Sequence, residues 1–305
     1  MFFKLRTESS ELRILRSLNT RMALEPDVKQ HFFNLAKGFE GEVAFDEWTL
    51  PLTDKYLILN DLLLESNSTT FQIDSLLISQ KMIYLFEVKN FEGDYYVEGE
   101  KWFSMSGSEI NSPLFQMKRC ETLLKSYLHR LKINVPIKSY LVFINPEFAL
   151  YEAPRNEPII FLSQMKRLIE KFHRQSDYLG NRHNALANQL VNDHLKSNRF
   201  SKIPMYDFSL LEKGILCSSC QGSLMKAFNG RNLICPGCGC MEKTESAVLR
   251  AVQEYKLLFP DRQVTTQAIQ EWCGVVESRK TIREILNRHF TRIGRTQQTH
   301  YIEKD

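Results

Sequence analysis

Asp74, Glu87 and Lys89 place three charges inside the otherwise apolar run from Phe71 to Gly93. A buried strand face rejects charge unless the charge is paired or put to use. If Gln80 and Lys81 turn a hairpin, Ile78 faces Ile83, Leu76 faces Leu85, Asp74 faces Glu87 and Gln72 faces Lys89. Strand side chains alternate with period 2, so these residues share one face. The two carboxylates then stand with β-carbons about 5 Å apart. They repel, and one takes up a proton unless a cation bridges them. Oxygen-only ligands suit a hard divalent ion, Mg2+ or Mn2+. Lys89 projects from the same face, where it can hold a phosphate or orient an attacking water beside the metal. The other reading is a structural ion cluster at the frayed end of a hairpin, because ion-pair networks gather the same residue types.

A second constellation lies downstream. Of the seven cysteines, five fall between Cys217 and Cys240, while Cys120 and Cys273 stand alone. Cys217 and Cys220 form one C-x2-C pair, and Cys235 and Cys238 form another after fourteen residues. Four thiolates at this spacing predict a closed tetrahedral Zn2+ site, structural because no ligand position stays open. Cys240 is an alternative ligand. The intervening segment turns at Asn229-Gly230 as a short hairpin, so the whole resembles a zinc ribbon. Clustered cysteines, with no signal peptide ahead of them, predict a reducing cytoplasm rather than a disulfide framework.

The elements that position these residues read as follows. A helix starts near Pro26, at a first-turn position. Extended segments follow, with a turn at Glu98-Gly99. A second helix has Ser112 as N-cap and Pro113 at its first position. "IKSYLVFIN" is a buried strand, and "PIIFLSQMKRLIEKF" is a strand entering a helix capped by Ser163. This order predicts an α/β domain over residues 25–175. Around it lie an N-terminal helical extension (1–24), expected to pack on the surface of the main domain, and a helical linker (176–213) with a polar helical stretch over 181–199. A ribbon (214–243) and a basic C-terminal domain (244–305) complete the chain. The 305 residues suit two or three domains, and no apolar run is long enough to span a membrane.

The basic domain reads as helix, turn at Gly274, and a second helix capped by Ser278 with apolar face Ile282, Ile285 and Leu286. Arg279, Lys280 and Arg283 lie at the start of that second helix and Arg288 further along, where a recognition helix meets bases and phosphates. "HFTRIGRTQQTHYIE" reads as a two-stranded wing. The alternative is a small helical domain with a solvated basic face.

Here the chain resembles a known family. "GFEGE", "FQIDSLLIS", "LFEVKNFEG" and "SPLFQ" follow the order and spacing of the nuclease-related domain (NERD), a branch of the PD-(D/E)XK nuclease superfamily. The resemblance implies a restriction-endonuclease-like mixed sheet flanked by helices. It implies metal binding by Asp74 and Glu87, the catalytic lysine at Lys89, a helix-borne acid at Glu42 and a helix glutamine at Gln116. Gly38 and Gly41 would let the helix carrying Glu42 approach the sheet. Glu42 could then complete the metal shell directly or through water. Gln116, in the first helical turn on the stripe of Cys120, Leu123, Tyr127 and Leu131, is expected to be buried. The implied activity is Mg2+- or Mn2+-dependent hydrolysis of DNA by a cytoplasmic, bacterial protein. RNA stays open as substrate, a homodimer is compatible, and the alternative is a DNA-binding or regulatory protein on a scaffold that no longer cuts.

Overall fold

The computed structural model describes residues 2–175, 178–195, 202–295 and 299–304. In chain order its helices and strands are α1 (Ser10–Arg21), α2 (Pro26–Thr49), β1 (Leu57–Ser66), β2 (Thr69–Ile78), β3 (Ile83–Lys89), β4 (Gly93–Glu98), β5 (Lys101–Ser104), β6 (Glu109–Ile110), α3 (Pro113–Arg130), β7 (Ile137–Phe143), β8 (Phe148–Tyr151), β9 (Ile159–Phe161), α4 (Leu162–Arg174) and α5 (Asn181–Asn192). Then come β10 (Lys226–Asn229), β11 (Asn232–Ile234), β12 (Met241–Lys243), α6 (Thr244–Leu258), α7 (Thr266–Cys273), α8 (Arg279–His289), β13 (Phe290–Ile293) and β14 (His300–Glu303). The chain divides into two compact units, Met1–Glu8 with Asn34–Phe200 and Ser9–Phe33 with Ser201–Asp305.

The first unit is mixed α/β. Its five-stranded sheet runs β1-β2-β3-β7-β9. β1, β2 and β3 are antiparallel neighbours joined by tight turns, whereas β3, β7 and β9 are parallel and need crossovers. Both faces are covered, as burial of the alternate residues demands. On one face Leu76, Ile78, Ile83 and Leu85 pack against α3 and α5 through Met117, Leu124, Leu186 and Leu190. On the other, Leu77, Tyr84, Phe86 and Val88 pack against Phe45 of α2 and Met165 and Phe172 of α4. A smaller sheet, β6-β5-β4-β8, carries the expected turn, with Gly99 left-handed at φ 63°. Residues 3–6 run alongside β1: Phe3 donates to the Ile58 carbonyl at 2.9 Å and Asn60 donates to the Lys4 carbonyl at 3.1 Å.

Two expectations change. Ser163 does not cap α4; Phe161 does, and its N–H donates to Oε1 of Gln164 at 3.0 Å. The α1 helix does not dress the main domain. Its apolar stripe places Ile14 and Leu18 in the core of the second unit, and Ser17 and Arg21 both bond Glu254 of α6. Of the stretch 181–199, α5 covers the first part, and residues 196–199 lie outside the described ones.

The second unit closes around Trp272, which packs with Phe208, Tyr255 and Phe259. The Arg21 guanidinium lies 4.0 Å over the Trp272 ring. β10, β11 and β12 form a small antiparallel sheet. After it, α6, α7 and α8 pack together, Gly274 turns the chain at φ 60°, and the Ser278 hydroxyl caps α8 by accepting from Thr281 N–H. β13 and β14 pair as a hairpin, and Tyr301 of β14 bridges to Val264 just before α7. Residues 296–298 of the anticipated wing lie outside the described residues. Among the described residues no helix is long and apolar enough to cross a membrane.

Candidate active site

The hairpin has the expected register for four ladder pairs, Ile78–Ile83, Leu77–Tyr84, Leu76–Leu85 and Ser75–Phe86. There the β2–β3 ladder stops, while β3 continues beside β7 through Lys89. Val88 N–H therefore lacks a backbone partner on the β2 side, and Asp74 Oδ2 accepts it at 2.8 Å. Asp74 and Glu87 are both buried, 8% and 1% exposed. Gln72 does not face Lys89; it is exposed and donates to Asp61 at 3.0 Å.

Lys89 sits 2.7 Å from Glu87 Oε1 as an ion pair and donates to Gln116 Oε1 at 2.9 Å. Lys89 is the only side chain that reaches Glu87 Oε1 among the described contacts, and the carboxylate is otherwise enclosed. Gln116 is exposed rather than buried, although Pro113 and Leu114 in the same first turn of α3 are buried. It lines the rim and steadies Lys89. Cys120, one turn below, donates to the Gln72 carbonyl at 3.2 Å. Burial pushes its thiol far up, with Glu87 and Asp74 adding to the effect.

Glu42 reaches the same neighbourhood from α2, but a residue the sequence did not flag holds it. Arg6 pairs with Glu42 Oε2, forks onto both Asp46 oxygens at 2.9 Å and donates to the Asp74 carbonyl at 2.8 Å. Its side chain is 3% exposed. Among the described residues, Glu42, Asp74 and Glu87 do not close into a group with all ligand atoms within 4.8 Å of one another. Nearby Lys4 bonds the Asn60 and Asp61 carbonyls, each at 2.7 Å.

Five carboxylates thus gather here, Glu42, Asp46, Asp61, Asp74 and Glu87, against three cations, Lys4, Arg6 and Lys89. With all ionised, two negative charges stay uncompensated. Burial, reinforced by Asp74, pushes Glu42 up to about 8 against the pull of Arg6. Burial and Asp74 likewise push Glu87 up to about 7 against Lys89. Burial also raises Asp74, Asp46 and Asp61. Burial works against the Lys89 charge, yet Glu87 and Asp74 outweigh it and hold the ammonium above its ordinary value. An uncompensated charge of two and oxygen-only donors fit one hard divalent cation.

The raised acids set a pH dependence. Between about pH 5 and pH 8 the metal-free fold keeps protons that an unfolded chain has released, so its stability falls as pH rises. A divalent cation needs the ionised acids, so protection by Mn2+ grows across the same window. Thermal melts of the zinc-loaded protein at stepped pH, with and without Mn2+, check this. Glu87→Gln should flatten the metal-free slope; an unchanged slope contradicts the assignment.

The approach of α2 to the site depends on Gly41. A β-carbon built there would overlap the Asn90 β-carbon at the end of β3, whereas one at Gly38 meets nothing within 4 Å. Asn90 also donates to the Lys37 carbonyl at 2.8 Å and accepts from Asn145 at 3.0 Å. Only one of the two glycines serves close approach. Gly41→Ala should cost about 1–3 kcal/mol through overpacking. Gly38→Ala, mid-helix and unobstructed, should gain about 0.5–1 kcal/mol. Urea denaturation of the two variants tests the contrast.

Residues 37–144 match the family described as Nuclease-related domain, NERD. This segment is a nuclease-related domain. No curated protein and no solved structure matches the chain. The NERD domain contains Glu42, Asp74, Glu87, Lys89 and Gln116; Arg6, α4 and the second unit lie outside the matched residues. A cavity of about 720 Å3 opens at the opposite end of the β2–β3 hairpin, around Ser79, Lys81 and Leu186, away from the carboxylates.

In the second unit, the Sγ atoms of Cys217, Cys220, Cys235 and Cys238 all lie within 4.8 Å of one another. Cys217–Cys238 and Cys220–Cys235 are 3.7 and 3.6 Å apart. Tetrahedral Zn–S bonds of about 2.3 Å require S···S separations near 3.8 Å, so this set can hold zinc. Cys240 lies outside the group. On α8, Arg279, Lys280 and Arg283 are exposed together on the first turns. Arg288 is placed differently: with His289 it pairs to Glu245 at 2.9 Å or less.

Proposed function

We propose that the protein is a divalent-metal-dependent nuclease that cuts DNA. The observation that carries this reading is the buried pair Asp74 and Glu87, with Lys89 ion-paired to Glu87 beside them. Asp74 and Glu87 would hold Mg2+ or Mn2+, and Glu42, engaged by Arg6, would act through water rather than as a ligand. The ion supplies polarisation of a phosphoryl oxygen and a water of lowered pKa. Lys89 meets the negative charge that develops on the phosphate, and Gln116 keeps its ammonium aimed.

The second unit supports a nucleic-acid partner. Its order, α6, a bridge at Val264, α7, α8 and the β13–β14 hairpin, suits a winged helix with α8 presented to DNA. Arg279, Lys280 and Arg283 would contact phosphates and base edges there. The four cysteines would hold a structural Zn2+ that braces this unit. Reduced thiols suit a cytoplasmic protein.

Purified protein incubated with plasmid, single-stranded DNA and RNA, in Mg2+, Mn2+ or chelator, tests the reading. Metal-dependent cutting of DNA supports it. Cutting of RNA alone moves the substrate class. Binding without cutting under any metal supports the other reading, a DNA-binding protein whose acids are neutralised by Arg6 and Lys89.

A further inference from the structure

We propose that Arg6 is a positioning residue of this site, holding the Glu42 carboxylate out of the shell of the divalent ion so that Asp74 and Glu87 alone supply protein ligands. The inference rests on the nuclease reading and adds a residue from outside the matched segment 37–144.

The N-terminal segment delivers Arg6 to a fixed place. Backbone bonds from Phe3 and Lys4 to the Ile58 carbonyl, and from Asn60 to Lys4, pin the segment to β1. The guanidinium then uses Nε, Nη1 and Nη2 on three different partners: Asp46, Glu42 and the Asp74 carbonyl. Arginine does not give up its proton in proteins, so this charge is permanent. Neutralising Asp46 alone would need only the fork. Beyond the fork, Nη1 reaches Glu42 and Nη2 also reaches the backbone of a proposed metal ligand. A guanidinium there engages a carboxylate that a hard cation, which favours oxygen ligands, would otherwise attract. Freed from Arg6, Glu42 faces a negative site with one positive charge fewer.

This makes the expected signature opposite in sign for binding and turnover. In zinc-loaded Arg6→Gln, titration calorimetry should show Mn2+ binding about tenfold tighter, since one repelling unit charge is gone and one carboxylate is gained. kcat on plasmid should fall about tenfold or more, because the added ligand displaces the water and phosphate geometry. Arg6→Lys keeps the charge without the fork and should move both quantities part-way. Adding Glu42→Gln to Arg6→Gln should cancel the gain in affinity. Thermal melts report folding, and if Arg6→Gln does not fold, Arg6→Lys decides alone. Weaker or unchanged Mn2+ binding in the folded variants overturns the inference and leaves Arg6 as structural support only. A wild-type chain that binds Mn2+ through Asp74 but cuts nothing removes the nuclease reading, and calorimetry still decides the role of Arg6. A chain that binds no Mn2+ at this site removes both.

Discussion

Asp74→Asn should abolish metal-dependent cleavage, by about a thousandfold or more, and leave the fold standing. Asparagine has nearly the shape of aspartate, and its side-chain oxygen can still accept the Val88 N–H where the β2–β3 ladder stops. What disappears is one buried negative charge. Without it Glu87 loses the repulsion that, after burial, raises it most. The metal-free variant should therefore melt higher than the wild type at pH 8, where the wild type strains to keep its acids together. With saturating Mn2+ the order should invert, because only the wild type gains binding energy from the ion. This crossover separates a metal ligand from a structural acid: a structural acid replaced by its amide lowers the melting point with or without metal. Residual metal-dependent cutting within tenfold of the wild type, co-eluting with the chain on gel filtration, would show that Asp74 is no ligand.

The parts of this site that were legible in the sequence are the local ones. The β2–β3 register follows from period-2 alternation around a short turn, and four successive pairs keep it. Its end does not follow, because the strands part where Asp74 substitutes its carboxylate for a backbone carbonyl. The four cysteines are legible because chelation fixes their spacing within a few residues. Arg6 was not, because its partners lie between 36 and 68 residues away and nothing in a six-residue extended segment marks it. The helical stripe of Cys120 and Tyr127 is real, but Gln116 lies off the buried face that Leu114 and Met117 occupy at the start of α3. The α1 helix shows a similar limit: its amphipathic pattern says that a face is buried, and the partner, here α6 through Glu254, is chosen by charges far along the chain. Of the two glycines before Glu42, composition marks both as small, and only the position of Asn90 tells which one matters.

Cys235→Ser should release zinc and unfold much of the second unit while the NERD domain keeps its own melting transition. Cys217 and Cys235 are not surface ligands; they are 0% and 1% exposed and pack with Met225, Leu233 and Val248 in the core of that unit. Without a metal, four sulfurs within 4.8 Å must either repel as thiolates or stay protonated with few partners. Zinc binding in small ribbons contributes about 10 kcal/mol or more of folding free energy, an amount comparable to the whole stability of a domain. The loss should therefore lower the transition of the second unit by roughly 20 °C or more. Its effect should reach α8, because Leu233 and Cys235 share a core with Ile282, Ile285 and Leu286. DNA affinity should fall with it even though no basic residue is changed. Cys240→Ser is the internal control: Cys240 lies outside the four-sulfur group, so zinc content should stay near one per chain and the melting curve should not move. Zinc retained by Cys235→Ser, or lost from Cys240→Ser, would reassign the fourth ligand and with it the register of the β11–β12 turn.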